Sequence, residues 1–526
     1  MIMCFVKTIW RKTNYMSMNN THVPKLLRSL LMLLPCLILM EACNKPKSKT
    51  GAELTKITGI KLYKDLDAEV LSDKLKAALS KRGKSMSNPK FTEQIYEQAD
   101  YQPVLISKFL PDSGLKNAAK KISAAEEHGL SAENFQAAKL NAALEQIYSK
   151  TEVNTIDKAY DAVIDLELIA SGAITDYAAA MQYGIVSPRK IFAQFYTKVL
   201  RPDSISFKKP YQTSNITAFL DSIQPRSEAY KMLQTALSQK ITAPGHSAEE
   251  TKRIIEVNME RLRWHTAQQE DKYVWVNIPA FELQVMEKQK PVLSMKVCVG
   301  EGRNTGQSTS LTEYDENDLK KDRAFNRETP QLKSMIHSVQ VNPVWNIPES
   351  IASNEIVKYA SQDRYYLSNK NIDVFYKGKK VEDTETIDWS APDVGKAYTF
   401  KQQPGADNSL GKIKFLFNNQ SSVYLHDTPA QAAFNLAVRA VSHGCVRLEK
   451  PLELARVLFG PGGKFDKIKE GMQSKDPKAE NISLPKQVAV YLVYFTCWKD
   501  SNSGKLMFAN DIYGQDAVLY THLNKA

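Results

Sequence analysis

The hydrophobic pattern of this chain changes its period near residue 270, and that change divides the fold. Before it, apolar residues recur at three- and four-residue spacing. Leu115, Ala118, Ala119, Ile122 and Ala125 fall on one helical face, with Gly129 placed as a C-cap. Leu140, Leu144 and Ile147 continue a second helix. Residues 157–183 read as a third that ends before Gly184, and Ile255, Met259 and Leu262 mark another before Trp264. After residue 270 the period is two. Residues 272–285 read as paired strands broken near Pro279, and 295–300, 338–348, 411–417, 422–426 and 488–495 as further strands. Residues 301–328 are polar and irregular, a long surface insertion. The pattern predicts an α+β chain, with a helical domain over 55–268 and a mainly β domain over 269–526. A length of 526 residues, 43% of them hydrophobic, allows two or three domains with a sizeable core.

The chemistry concentrates in the second part. Residues 442–447 read Ser-His-Gly-Cys-Val-Arg, and His426 ends the alternating run 421–426. The chain has only eight His, and two of them, His426 and His443, come shortly before Cys445. A thiolate attacks a carbonyl far better than a thiol does, so a cation or proton acceptor belongs beside it. His443 and Cys445 are two apart, and on an extended segment they would share a face. Gly444 permits backbone angles closed to other residues, which suits a turn whose N–H groups aim at an oxyanion. Three readings fit these residues: a buried structural thiol, a zinc site from His426, His443 and Cys445, and a nucleophile for acyl transfer. No Cys-x-x-Cys or His-x-x-x-His accompanies the set, and the whole constellation favours the nucleophile. No nucleic-acid motif and no cofactor motif is present.

The first forty residues read as a targeting segment. Lys25 and Arg28 precede the apolar run 29–40, which is short for a membrane span and contains Pro35. Residues 1–42 thus read as a signal peptide. Leu39-Met40-Glu41-Ala42-Cys43 resembles a lipoprotein processing site, with Cys43 as the lipidated residue. The polar residues after it, 43–54, read as a tether. That implies a periplasmic protein held at a membrane, the outer one being favoured because Asp does not follow Cys43. Net charge is +12, of which residues 1–42 carry +4 (Lys7, Arg11, Lys12, Lys25 and Arg28 against Glu41), leaving a moderate +8. That balance serves solubility or attraction to an anionic polymer. Cys298 and Cys497 sit in strand-like runs and read as buried thiols, with a disulfide between them as the alternative.

Tyr-Leu-His-Asp-Thr-Pro at 424–429 and Arg-Ala-Val-Ser-His-Gly-Cys-Val-Arg at 439–447 resemble the L,D-transpeptidases of bacterial cell walls. Asn342-Pro343-x-Trp345, Lys401-Gln402-x-Pro404-Gly405 and Asn408-x-Leu410-Gly411 extend the resemblance over nearly all of 272–520. Tyr101-Gln102-Pro103, Glu127-His128-Gly129-Leu130 and 182–188 resemble the N-terminal scaffold of the large periplasmic members. Only about forty residues, roughly 210–250, stand where some members carry a peptidoglycan-binding module. The resemblance implies a helical scaffold domain followed by a mainly β catalytic domain, with a lid at about 349–400. It implies acylation of Cys445 by a peptidoglycan stem peptide, His426 as base, and 3→3 crosslinks as product. His443 and Gly444 complete the catalytic set. Ser442, Arg447, Tyr424 and Trp345 would bind substrate, and carbapenem β-lactams would inhibit. No metal or other cofactor is implied. The same thioester could instead pass to water or to a lipoprotein amine, or the domain could bind wall without catalysis.

Overall fold

The computed structural model describes residues 46–82, 86–266, 270–302, 312–314, 320–322 and 327–523. The expected signal peptide and Cys43 lie outside the described residues, as does most of the insertion at 301–328. Five helices recur below: α1 (Lys49–Thr58), α2 (Val104–Phe109), α3 (Ile156–Tyr183), α4 (Ala248–Arg263) and α5 (Gln515–Leu523). Among the described residues no helix is long and apolar enough to cross a membrane.

The tether expected over 43–54 is shorter than that, because α1 already starts at Lys49. The Ser48 hydroxyl accepts from the Gly51 N–H at 3.0 Å and so caps the helix, and Leu54 is buried in the helical core. Capping and burial outweigh the polar composition that suggested a tether. At the centre of that core runs α3, 28 residues long, with Thr155 as its N-cap and Gly184 as its C-cap. It is buried on most of its surface, as a helix surrounded by other helices must be. Its Glu167 is fully buried and closes the start of α2. One carboxylate oxygen accepts from the N–H groups of Val104 (2.8 Å) and Leu105 (2.9 Å) and from Tyr96 Oη (2.8 Å). The other accepts from Ile106 N–H at 2.9 Å.

From residue 272 the chain builds strands β1 (Lys272–Asn277), β2 (Glu282–Glu287), β3 (Lys290–Gly300), β4 (Thr312–Tyr314), β5 (Lys320–Asp322), β6 (Leu332–Val341), β7 (Trp345–Ile347), β8 (Ile372–Tyr376), β9 (Lys379–Lys380), β10 (Tyr398–Gln402), β11 (Ile413–Phe417), β12 (Leu425–His426), β13 (Ala440–Ser442), β14 (Val446–Leu448), β15 (Glu480–Val493), β16 (Cys497–Lys499) and β17 (Leu506–Phe508). Nine of them form one sheet, in the order β13-β3-β14-β12-β11-β6-β15-β1-β2. Because β2 also pairs with β3, the sheet closes on itself, with β13 attached beside β3. Its core holds Val274, Val276, Val297, Ile413, Phe415, Leu425, Val446 and Leu448, the alternate residues of their strands.

The strand expected over 422–426 is reduced to Leu425–His426. Asn419 holds the preceding residues in a turn: its Oδ1 accepts from the N–H groups of Ser421 (3.1 Å) and Val423 (3.0 Å), and Ser422 takes a positive φ of 52°. The segment expected as a lid carries its own four-stranded sheet, β7-β10-β8-β9. A separate core of Ile351, Ile356, Leu367, Val374, Trp389 and Phe400 stands behind it.

The boundary expected at 269 divides the sequence but not the packing. α5 leaves the β region and sets Val518, Leu519 and Leu523 into the helical core. It is tied there by Arg261 Nη1 to Asp516 Oδ1 (2.5 Å) and by Asn134 Nδ2 to the Leu523 carbonyl (3.2 Å). Cys298 and Cys497 are both buried and free.

Candidate active site

Strand register builds the site. β11 pairs antiparallel with β12, setting Lys414 opposite His426, and β12 pairs parallel with β14, setting His426 beside Arg447. β14 in turn pairs with β3, opposite Cys298. Ile413, Phe415, Leu425, Val446 and Leu448 all point into the core. Alternation therefore turns Lys414, His426 and Arg447 to the other face. Tyr424 and Cys445 lie two residues before His426 and Arg447, just ahead of their strands, and Cys445 is partly buried and also touches the core. The Val446 N–H donates to the Tyr424 carbonyl at 3.0 Å, which locks Cys445 beside Tyr424.

His426 is 3% exposed. Its Nδ1 lies 2.5 Å from the Asp427 carbonyl oxygen, so that nitrogen carries the proton and Nε2 is left as the basic one. Asp427 thus orients the imidazole through its backbone. Its carboxylate is turned away, accepting from the N–H groups of Lys412 (2.9 Å) and Thr428 (2.8 Å). Burial pushes His426 down to about 4, helped by the charges of Arg447 and Lys414 and opposed by backbone hydrogen bonds to Asp427 and Leu410. Burial also pushes the Cys445 thiol up, while a backbone hydrogen bond from Tyr424 and the charges of Arg447 and Lys414 pull it down. Burial lowers Lys414 and raises Tyr424, and Cys445 acts on both. The Lys414 ammonium sits 5.1 Å from the Tyr424 ring centroid.

The loop before Cys445 is a bend, so the expectation that His443 and Cys445 share one face of an extended segment does not hold. Gly444 takes φ +112°, where a side chain would be strained. Ser442 commits its hydroxyl to this bend. It donates to the Cys445 carbonyl at 2.6 Å and accepts from the Gly444 N–H at 3.2 Å. That second bond occupies one of the N–H groups expected to face an oxyanion. From the sheet side Thr329 Oγ1 donates to the Gly444 carbonyl at 2.9 Å and accepts from Gly300 N–H at 2.8 Å, and Tyr513 Oη donates to the Gly300 carbonyl at 2.8 Å. Gly300 has no room for a side chain: a Cβ there would lie 2.0 Å from the Arg327 carbonyl oxygen.

His443 reaches the lid, with Nε2 2.6 Å from Glu355 Oε1. Glu355 lies in a π-helical turn, Ala352–Ile356, and also faces Arg327 at 3.9 Å. Trp345 is not part of this cluster; it packs half-buried against the lid's own core. Among the described residues Arg447 pairs with no carboxylate, and no group of three or more His, Cys, Asp or Glu is arranged to hold a metal ion. The sequence motif thus names Cys445, His426, Tyr424 and Arg447, which one sheet face brings together. It does not name Lys414, Thr329, Tyr513 or Glu355. For Lys414 a signal existed, a lone cation in an otherwise apolar strand. For the other three nothing in the linear pattern marks them.

Residues 271–459 match the YkuD L,D-transpeptidase catalytic domain, and residues 90–237 match the scaffold domain. The chain therefore carries an L,D-transpeptidase catalytic domain joined to a scaffold domain. Over 309 residues it is 27% identical to a Haemophilus influenzae protein named "Putative L,D-transpeptidase". That alignment covers 58% of this chain and 56% of the relative, so the chain spans little more than half of that protein's length.

Proposed function

We propose that this protein is a peptidoglycan L,D-transpeptidase that forms 3→3 crosslinks through a thioester on Cys445. The observation that carries the reading is the shared sheet face of Cys445, His426, Tyr424, Lys414 and Arg447 within the matched catalytic domain. His426 is neutral at working pH and takes the thiol proton on Nε2. Cys445 attacks the carbonyl of the third stem residue. The bond to D-alanine breaks, and the His426 proton leaves with its amine. A side-chain amine of a second stem then attacks the thioester, and the thiol is regenerated. Arg447 offers its guanidinium to a stem carboxylate. The lid, joined to the catalytic loop through Glu355 and His443, limits water and so favours the amine over hydrolysis. The leader reading supports export and anchoring through Cys43 on the periplasmic side of a membrane, outer rather than inner.

The test is intact-mass spectrometry of the purified protein after incubation with a carbapenem, beside Cys445→Ala. One adduct on the wild type and none on the variant is expected. No adduct on either sinks the reading. A disaccharide-tetrapeptide substrate then separates dimer formation from release of tripeptide, the product of an L,D-carboxypeptidase.

A further inference from the structure

We infer that Lys414, on the strand next to the thiol motif, is the counter-cation of the Cys445 thiolate. The inference deepens the reading above and rests on Cys445 being the nucleophile. Three observations carry it. Register sets Lys414 opposite His426 on the face shared with Cys445 and Arg447. The ammonium reaches back over the Tyr424 ring, 5.1 Å from its centroid, and Tyr424 is the residue beside Cys445. Among the described residues Lys414 forms no ion pair, although it is partly buried. Even a partly buried ammonium with no carboxylate carries a desolvation cost that an anion formed beside it would offset. The anion this site can form is the thiolate.

The need for such a cation follows from His426. An imidazole pushed down to about 4 holds a proton poorly, so a lasting thiolate–imidazolium pair is disfavoured. Fixed cations then stabilise the sulfur's charge, Arg447 from its own strand and Lys414 from across β12. Tyr424 also acts on the thiol through its backbone, and the titratable and charged groups on the neighbouring elements include His426, His443 with its lid partner Glu355, and Arg327, which faces Glu355 at 3.9 Å. Lys414 keeps its proton throughout. The thiol proton passes to His426 and then to the leaving amine, and the sulfur's electron pair forms the thioester bond.

The test is the pH dependence of Cys445 alkylation by iodoacetamide, read by peptide mass spectrometry at that residue so that Cys298 and Cys497 do not contribute. Wild type is compared with Lys414→Met, Lys414→Gln and Lys414→Arg. Loss of an adjacent cation is expected to move the alkylation midpoint up by about one pH unit or more, roughly tenfold less alkylation at pH 7. Lys414→Arg should stay near the wild-type midpoint. Two neutral variants guard against one that fails to fold. A midpoint unchanged in both, or shifted equally by Arg, overturns the inference. Alkylation needs no stem peptide. A failure to crosslink with a shifted midpoint therefore counts against the proposed function alone, and normal crosslinking with an unshifted midpoint against Lys414 alone.

Discussion

The helical scaffold and the catalytic face of the sheet both bury charge, and they treat it in opposite ways. In the scaffold the buried charges are satisfied in the resting fold, Glu167 by backbone N–H groups and Tyr96, and Arg263 by Glu260. Arg263 and Glu260 are both fully buried and joined at 2.8 Å. Arg263 also donates to Tyr230 Oη (2.7 Å) and the His128 carbonyl (2.9 Å), while Glu260 accepts from the Val186 N–H (2.9 Å) and Trp264 Nε1 (3.1 Å). On the catalytic face Lys414 and Arg447 stand near one thiol, and the Asp427 carboxylate is committed to backbone N–H groups. Charges satisfied in the resting fold hold geometry. Charges left for a reaction to satisfy do so only when an anion develops.

The contrast can be broken most completely at the thiol. Cys445→Ala should lower crosslink formation by roughly three orders of magnitude or more. Its thermal midpoint should stay close to wild type, since a small half-buried side chain is lost. Residual crosslinking near wild type would remove Cys445 from the chemistry.

Arg263→Met attacks the other side. It leaves Glu260 buried without its cation and should cost about 3–5 kcal/mol in chemical denaturation. Cys445 alkylation in the fraction that remains folded should not change. A loss below about 1 kcal/mol would show that the pair does not hold the scaffold.

The half-buried His128 and the buried His426 sharpen the comparison through pH. His128 in the scaffold and His426 at the site are both pushed down to about 4, chiefly by burial. In the unfolded chain each takes up a proton near pH 6.5, while the folded one refuses it until about 4. Stability is therefore fully present above about 6.5 and falls as pH drops toward 4, by roughly 3 kcal/mol for each histidine. His128→Asn should flatten urea midpoints measured over that window. A slope as steep as wild type would acquit His128.

The smallest effect belongs to the lid. Glu355→Gln keeps the shape and removes the charge that faces His443. Both side chains are about one-third exposed, so stability should change by less than about 1 kcal/mol. Amide exchange across 345–402 should nonetheless quicken a few-fold. Unchanged exchange would mean that other contacts hold the lid.

Local patterns made part of this legible. The switch of period near 270, the helix over 157–183 and the strands β1, β3, β6, β11 and β15 rest on alternation and caps, which neighbours in sequence carry. The thiol motif and His426 were legible because their spacing is compact. Glu260–Arg263 could have been seen as a helical i, i+3 pair, but its complete burial could not. Lys414 belongs to the site only because β11 lies beside β12 and β12 beside β14, a strand order that no linear pattern states. Glu355 depends on how a separate core docks over the loop. The part Ser442 plays in the bend at Gly444 was not legible, because a hydroxyl beside a nucleophile suggests substrate and its bonds to the Cys445 carbonyl and the Gly444 N–H depend on how the loop turns.

The helix α5 has a consequence for how the chain comes together. It supplies Val518, Leu519 and Leu523 to a core otherwise built from residues before 260. A growing chain that has made only the scaffold lacks one wall of its own interior. The missing wall arrives after the catalytic barrel has been synthesised, with contacts such as Asn134 to Leu523 spanning 389 positions. Closing so long a loop is slow, and apolar surface stays open while it waits. The scaffold, made before the catalytic barrel, is therefore sealed after it, and its sealing fastens the barrel to it.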